Sequence, residues 1–240
     1  MKRSKELRAP PKEWIKILQM AYFFLKTKYS IGDLVLFGSQ ALSIYMKSPL
    51  RSKDIDFLSA QISLNRFESL SAELLKLPNV QFKSTTVQTK MLKMNKMRTY
   101  AIELRVADKP FFVESFDRIL DGRPPSILAP YLDLKKKWKL EIWVPEREAT
   151  LALRLAFRPP EGISRFNAIR LNNFMRENRR SIKFRHLASI IADWKIEKWI
   201  ESNLVDLYQR NKLRIIDDDR IIPGIQDKIK PKKVANSPLP

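Results

Sequence analysis

The chain has 240 residues, 44% of them hydrophobic, enough for one large or two modest domains with a real core. It contains no cysteine and one histidine, which excludes disulfides, thiolate metal sites, a thiol nucleophile and a histidine metal cluster. A net charge of +20 favours polyanionic partners, RNA or DNA first among them, and no apolar run approaches the length of a membrane span. The basic start M-K-R-S-K-E-L-R, ending in Ala9-Pro10-Pro11, lacks a signal-peptide core, so a cytoplasmic location is expected. Lys12 to Lys28 is expected as a helix. Trp14, Ile15, Ile17, Leu18, Ala21, Tyr22 and Leu25 give it one broad apolar face to pack on a sheet. Ser30-Ile31-Gly32-Asp33 is the turn into the next strand.

Leu34 to Phe37 is a short apolar run and reads as a buried strand. Gly38-Ser39 is a small turn opening a helix over Gln40 to Lys47, where Ala41, Leu42, Ile44 and Tyr45 recur at helical spacing. The first N–H groups of a helix have no intrahelical partner and attract anions. Glycine lets a phosphate approach the backbone, and a serine hydroxyl can donate to it. Asp54-Ile55-Asp56-Phe57-Leu58 alternates acid and apolar residues, as a half-buried strand does. Residues i and i+2 of a strand share a face, so Asp54 and Asp56 project together. Two carboxylates on one face repel unless a cation sits between them, and hard oxygen ligands suit Mg²⁺. An anion cradle and an acid pair within one strand–turn–helix–strand unit are equipment for phosphoryl-type transfer.

This order of strand, Gly-Ser, helix and Asp-x-Asp strand resembles the polymerase-beta-type nucleotidyltransferase superfamily over about residues 30 to 120. It is most similar to small prokaryotic members, including the nucleotidyltransferase toxins of abortive-infection and toxin–antitoxin systems. The resemblance implies an α+β fold, a mixed sheet flanked by helices and followed by a helical C-terminal domain. It implies that Asp54 and Asp56 hold Mg²⁺ or Mn²⁺, that Gly38 and Ser39 seat a nucleoside triphosphate, and that a third acid stands on a neighbouring strand. Arg51 and Lys53, just before the acids, are either phosphate contacts or plain loop charges.

Further along, Leu64 to Leu77 reads as a helix with Asn65 as N-cap, and Val80 to Thr89 as a strand. Lys90 to Lys96, basic and rich in methionine, is expected at a hairpin tip. Thr99 to Val106 alternates as a strand, Ala107-Asp108-Lys109-Pro110 turns, and Phe111 to Phe116 is the next strand. On it lies Glu114, the choice for the third acid, with Asp117 at the strand end as the competitor. Residues 126 to 145 read as irregular except for a strand over Leu140 to Val144. The run Lys135-Lys136-Lys137-Trp138-Lys139 is either a phosphate-and-base contact or a solvated face with one anchoring aromatic.

From Pro145-Glu146 the chain turns helical, over about Arg147 to Phe157, Ser164 to Glu177, Ile182 to Ala192 and Ile196 to Asn211. The expected domains are therefore residues 1–145, catalytic; 146–216, helical; and 217–240, a flexible basic tail in which Asp217-Asp218-Asp219 is a solvated turn. The resemblance implies a basic residue on the first of these helices that reaches the nucleotide phosphates, and Arg154 is the candidate. Arg165, Arg170, Arg176, Arg179 and Arg180 line either a nucleic-acid groove or a solvated helix surface. His186 reads as a partly buried structural residue. The expected activity is metal-dependent transfer of a nucleotide to an RNA end such as that of tRNA, to a protein or to a small molecule, with an antitoxin-like protein as a further partner. The rival expectation is a nucleic-acid-binding protein that keeps the fold without catalysis.

Overall fold

The alternating runs of the N-terminal half pair into one mixed sheet, and the helical runs beside them cover it. The structure, a computed structural model, describes residues 12–28, 34–47, 52–91, 96–106, 109–157 and 162–229. The chain divides into two units, Met1–Leu153 and Arg154–Pro240. The first opens with helix α1 (Lys12–Phe23), drawn out by a π-helical turn over Phe24–Lys28. There follow β1 (Val35–Phe37), α2 (Gly38–Ile44), β2 (Asp54–Leu58), α3 (Leu64–Leu74), β3 (Val80–Met91), β4 (Lys96–Val106) and β5 (Lys109–Phe116). A 3₁₀ turn over Pro125–Tyr131 leads into β6 (Leu132–Lys137) and β7 (Leu140–Pro145).

Among the described residues the seven strands form one sheet in the order β3-β4-β5-β2-β1-β7-β6. β2 runs parallel to β5 and β1 parallel to β7, while the remaining neighbours are antiparallel. Strand parity then decides which side chains face the core. Leu34, Leu36, Ile55, Phe57, Ile102, Leu104 and Val113 join Trp14, Leu18 and Tyr22 of α1 and Phe67, Leu70 and Leu74 of α3 in one buried cluster. Helices α1 and α3 thus cover one face of the sheet, and the alternate residues of β2 and β5 are left for the other.

The segment expected to be irregular contains a strand, β6. It pairs antiparallel with β7 along its whole length, and its lysines are spent within the fold. Lys135 pairs with Asp133 at 2.9 Å and Lys136 with Glu141 at 3.0 Å. The Lys137 Nζ donates to the carbonyls of Ser43, Ile44 and Met46 at 2.6, 2.8 and 3.0 Å, closing the C-terminal end of α2. Trp138 meets Trp14 edge to face at 5.2 Å. Lysines along an edge strand also discourage pairing with another chain.

Helix α4 (Arg147–Ala156) carries the chain across the division between the units. The second unit is helical: α5 (Arg165–Asn178), α6 (Phe184–Asp193), α7 (Glu197–Asn211) and the short α8 (Asp218–Ile221) and α9 (Ile225–Ile229). The Ser164 hydroxyl accepts from the Asn167 N–H at 3.2 Å and so caps α5. Phe174, Leu187, Ile190, Leu204 and Leu207 are buried here. The flexible tail expected from residue 217 is corrected for 218–229. Ile221, Ile222, Ile225 and Ile229 are buried. Asp217 pairs with Arg179 at 2.8 Å, and Asp218, 2% exposed, pairs with Arg214. Isoleucines one, three and four residues apart supply the apolar face that holds these two short helices down. Residues 230–240 lie outside the described residues. Among those described, no helix is long and apolar enough to cross a membrane.

Candidate active site

Strand β2 lies between β1 and β5, and register brings the acids together. Asp56 pairs with Phe37 on one side and with Glu114 on the other. Ile55 and Phe57 turn into the core, so Asp54 and Asp56 emerge half-buried on the opposite face, with Glu114 beside them. One carboxylate oxygen from each of Asp54, Asp56 and Glu114 lies within 4.8 Å of the other two. Burial pushes the Glu114 carboxyl above the usual carboxylate range; the neighbouring Asp54 charge adds to this, and a side-chain hydrogen bond with Asp56 opposes it. The donor set fits a hard divalent cation. It offers only carboxylate oxygens, its three acids are half-buried rather than enclosed, and their mutual repulsion is what a cation relieves.

Gly38 stands directly against this cluster. Its φ is +65°, in the left-handed region, and a Cβ built on it would overlap the Asp56 carboxylate. Both facts require glycine at the point where β1 passes into α2. Gly38 and Ser39 form the first turn of α2 itself rather than a turn ahead of it. Ser39 is 4% exposed, and its carbonyl accepts from the Ser43 hydroxyl at 3.2 Å. Two neighbours escape a reading of the sequence. Ser52 donates its hydroxyl to the Asp54 carboxylate. Gln40, wholly buried, reaches the Asp54 carbonyl through Nε2 at 3.4 Å. The available signals were slight: a hydroxyl two residues ahead of an acid, and an amide set among the apolar residues of a short helix.

No protein-family model matches the sequence, and no curated protein matches it. Solved structures do. An H. pylori protein described as a nucleotidyltransferase superposes with a TM-score of 0.51 at 14% identity, over 89% of this chain and 93% of its own. JHP933 from Helicobacter pylori superposes with a TM-score of 0.50 at 15% identity, over 89% of this chain and 90% of its own. The chain has a nucleotidyltransferase fold. It is of the expected α+β class, a mixed sheet with helices against it, followed in the chain by a helical unit.

Within this nucleotidyltransferase fold the other candidate residues fall in different places. Asp117, the competitor for third acid, accepts from the Arg98 backbone N–H at 2.7 Å and is not one of the three converging acids. Lys53 is exposed, and its carbonyl takes the Phe112 N–H at 2.7 Å, which ties the start of β2 to β5. Arg51 lies outside the described residues. Arg154 belongs to the second unit, where its guanidinium donates to Asn167 Oδ1 at 3.2 Å and lies 5.3 Å from the centre of the Phe157 ring. His186 is half-buried on α6.

Proposed function

We propose that the protein is a divalent-metal-dependent nucleotidyltransferase that moves a nucleoside monophosphate from a nucleoside triphosphate to a hydroxyl of RNA, tRNA included. The observation that carries this reading is the convergence of Asp54, Asp56 and Glu114 next to Gly38. In this reading the three carboxylates hold Mg²⁺ or Mn²⁺. Bound there, the ion neutralises charge developing at the α-phosphate and makes the acceptor hydroxyl more acidic. The acceptor oxygen forms a bond to the α-phosphorus, the bond from that phosphorus to the pyrophosphate oxygen breaks, and the hydroxyl proton leaves to water. Gly38, without a side chain, leaves its backbone open to the triphosphate, with Ser39 next to it. Lys53, exposed just before the acids, supplies positive charge for the phosphates, as Arg51 and Arg154 do in the same reading. The net charge of +20 supports a polyanionic acceptor. The resemblance to toxin members adds an antitoxin-like protein as a controlling partner.

The test is transfer of each α-labelled nucleoside triphosphate onto total cellular RNA with Mg²⁺ or Mn²⁺, comparing the wild type with Asp56→Asn. Label is expected on RNA from the wild type alone. Mg²⁺ should raise the melting temperature of the wild type and leave that of Asp56→Asn unmoved. Equal labelling by both would overturn the metal assignment. Folded wild-type protein that binds RNA in EDTA but transfers no label would instead be the non-catalytic binding protein.

A further inference from the structure

Strands β3 and β4 run past the end of the sheet. The pairing of β4 with β5 stops at Thr99 opposite Phe116, yet β4 begins three residues earlier, at Lys96. Lys96, Met97 and Arg98 pair only with Met91, Lys90 and Thr89 of β3. Among the described residues, these form a two-stranded ribbon with no third strand beside it. The Asp117 backbone N–H bonds the Arg98 carbonyl at 3.2 Å, and the Asp117 carboxylate takes the Arg98 backbone N–H, so this acid fastens the ribbon at its base. Thr86 to Thr89 of β3 are exposed, as are Lys96 and Arg98, although the core-facing residues of β4 from Tyr100 onward are buried.

The composition of the ribbon is one-sided. From Ser84 to Ile102 the sequence has no acidic residue and four cations, Lys90, Lys93, Lys96 and Arg98. Among the described residues, neither Lys96 nor Arg98 takes part in an ion pair. The polar remainder is threonine, glutamine and serine, which can bond phosphate and sugar oxygens without repelling them. The register also ties the ribbon to the acid cluster. Ala101 lies opposite Glu114; Arg98 and Lys96 are about 10 and 17 Å farther along β4, on the alternate face that they share with Tyr100.

We propose that this ribbon is an RNA-binding arm, with Lys96 and Arg98 gripping the RNA phosphate backbone. The assignment of the bound RNA as acceptor rests on the transferase reading; the binding itself does not. A lipid surface is the less suited partner, because among the described residues of the ribbon Val87 stands exposed among threonine, glutamine and cations rather than within an apolar face.

The experiment measures binding of labelled cellular tRNA in EDTA without nucleotide, over a series of salt concentrations, for the wild type, Lys96→Gln/Arg98→Gln and Lys96→Arg/Arg98→Lys. Removing two phosphate contacts should weaken binding about tenfold at moderate salt and make the slope of log affinity against log salt shallower by about 1.4. The charge-keeping pair should bind as the wild type does. The Mg²⁺-dependent rise in melting temperature should persist in both variants, which shows that the fold and acid cluster remain intact. In the wild type, RNA should protect Lys96 from acetylation, a readout that needs no variant. Unchanged affinity and slope in the glutamine pair, no protection of Lys96, or binding of phosphatidylserine vesicles in place of RNA would each overturn the proposal. Ribbon-dependent RNA binding without any transfer of label would overturn the transferase reading and leave the arm standing.

Discussion

Gly38 shows how much one position can decide. The residue before it ends a strand, the residue after it is inside a helix, and Asp56 fills the space where its side chain would be. Gly38→Ala should destabilise the protein by about 1–2 kcal/mol for the left-handed backbone alone. It should also push the Asp56 carboxylate aside, so the Mg²⁺-induced rise in melting temperature should shrink or vanish. Thermal unfolding with and without Mg²⁺ measures both effects, and wild-type values for the two would mean that Asp56 can yield at no cost. The acids and this glycine were legible in the sequence because their pattern is local. Asp54 and Asp56 alternate with Ile55 and Phe57, and a period of two assigns faces without any knowledge of the fold. Glu114 was legible only as an acid inside an apolar run. That pattern was enough to prefer it to Asp117, but its place beside Asp56 follows from the pairing of β2 with β5, which no local pattern contains. Ser52 and Gln40 were invisible for the same reason: their importance lies in reaching Asp54, and a hydroxyl or an amide has many other uses.

At the scale of elements, α2 is held at both ends. Its first residue abuts Asp56, and the carbonyls of Ser43 and Ile44 in its last turn and of Met46 just beyond accept from the Lys137 ammonium. The terminal carbonyls of a helix lack intrahelical donors, and a cation there also complements the helix dipole. Lys137→Met keeps the length of the side chain and removes every donor. It should cost about 2–4 kcal/mol, read as a lower urea midpoint at unchanged slope. A cost below about 0.5 kcal/mol would mean that water replaces the ammonium without penalty. Here the sequence was legible in part: Trp138 anchors the run and Lys136 is solvated, as read, but Lys137 turns inward, and the strand they form is set by pairing with β7 rather than by propensity. The tail misled, since its acid run suggested solvent. Asp217 and Asp218 are bound by Arg179 and Arg214, residues more distant in one case and only four away in the other.

For the whole molecule, the two short helices past residue 217 count as structure. Ending the chain after Ile216 removes the buried Ile221, Ile222, Ile225 and Ile229 together with the partners of Arg179 and Arg214. At about 1.5–3 kcal/mol for each fully buried side chain, the loss should be several kcal/mol and should appear as a lower melting temperature. Ending it after Ile229 is the control, and equal melting of the two shortened chains would return this segment to the status of a tail. The helical second unit and the sheet of the first were legible from periodicity, whereas the division at Leu153 falls inside a helix and leaves no mark of composition. The parallel register of β2 with β5 has one more consequence. Its partners, Asp56 and Glu114, are separated along the chain by all of α3, β3 and β4. During synthesis the first two acids emerge well before the third, and closing so long a loop carries an entropic cost that local contacts cannot repay. A metal ion held by all three acids, as proposed, would therefore meet its complete site only in a chain whose central strands have already paired.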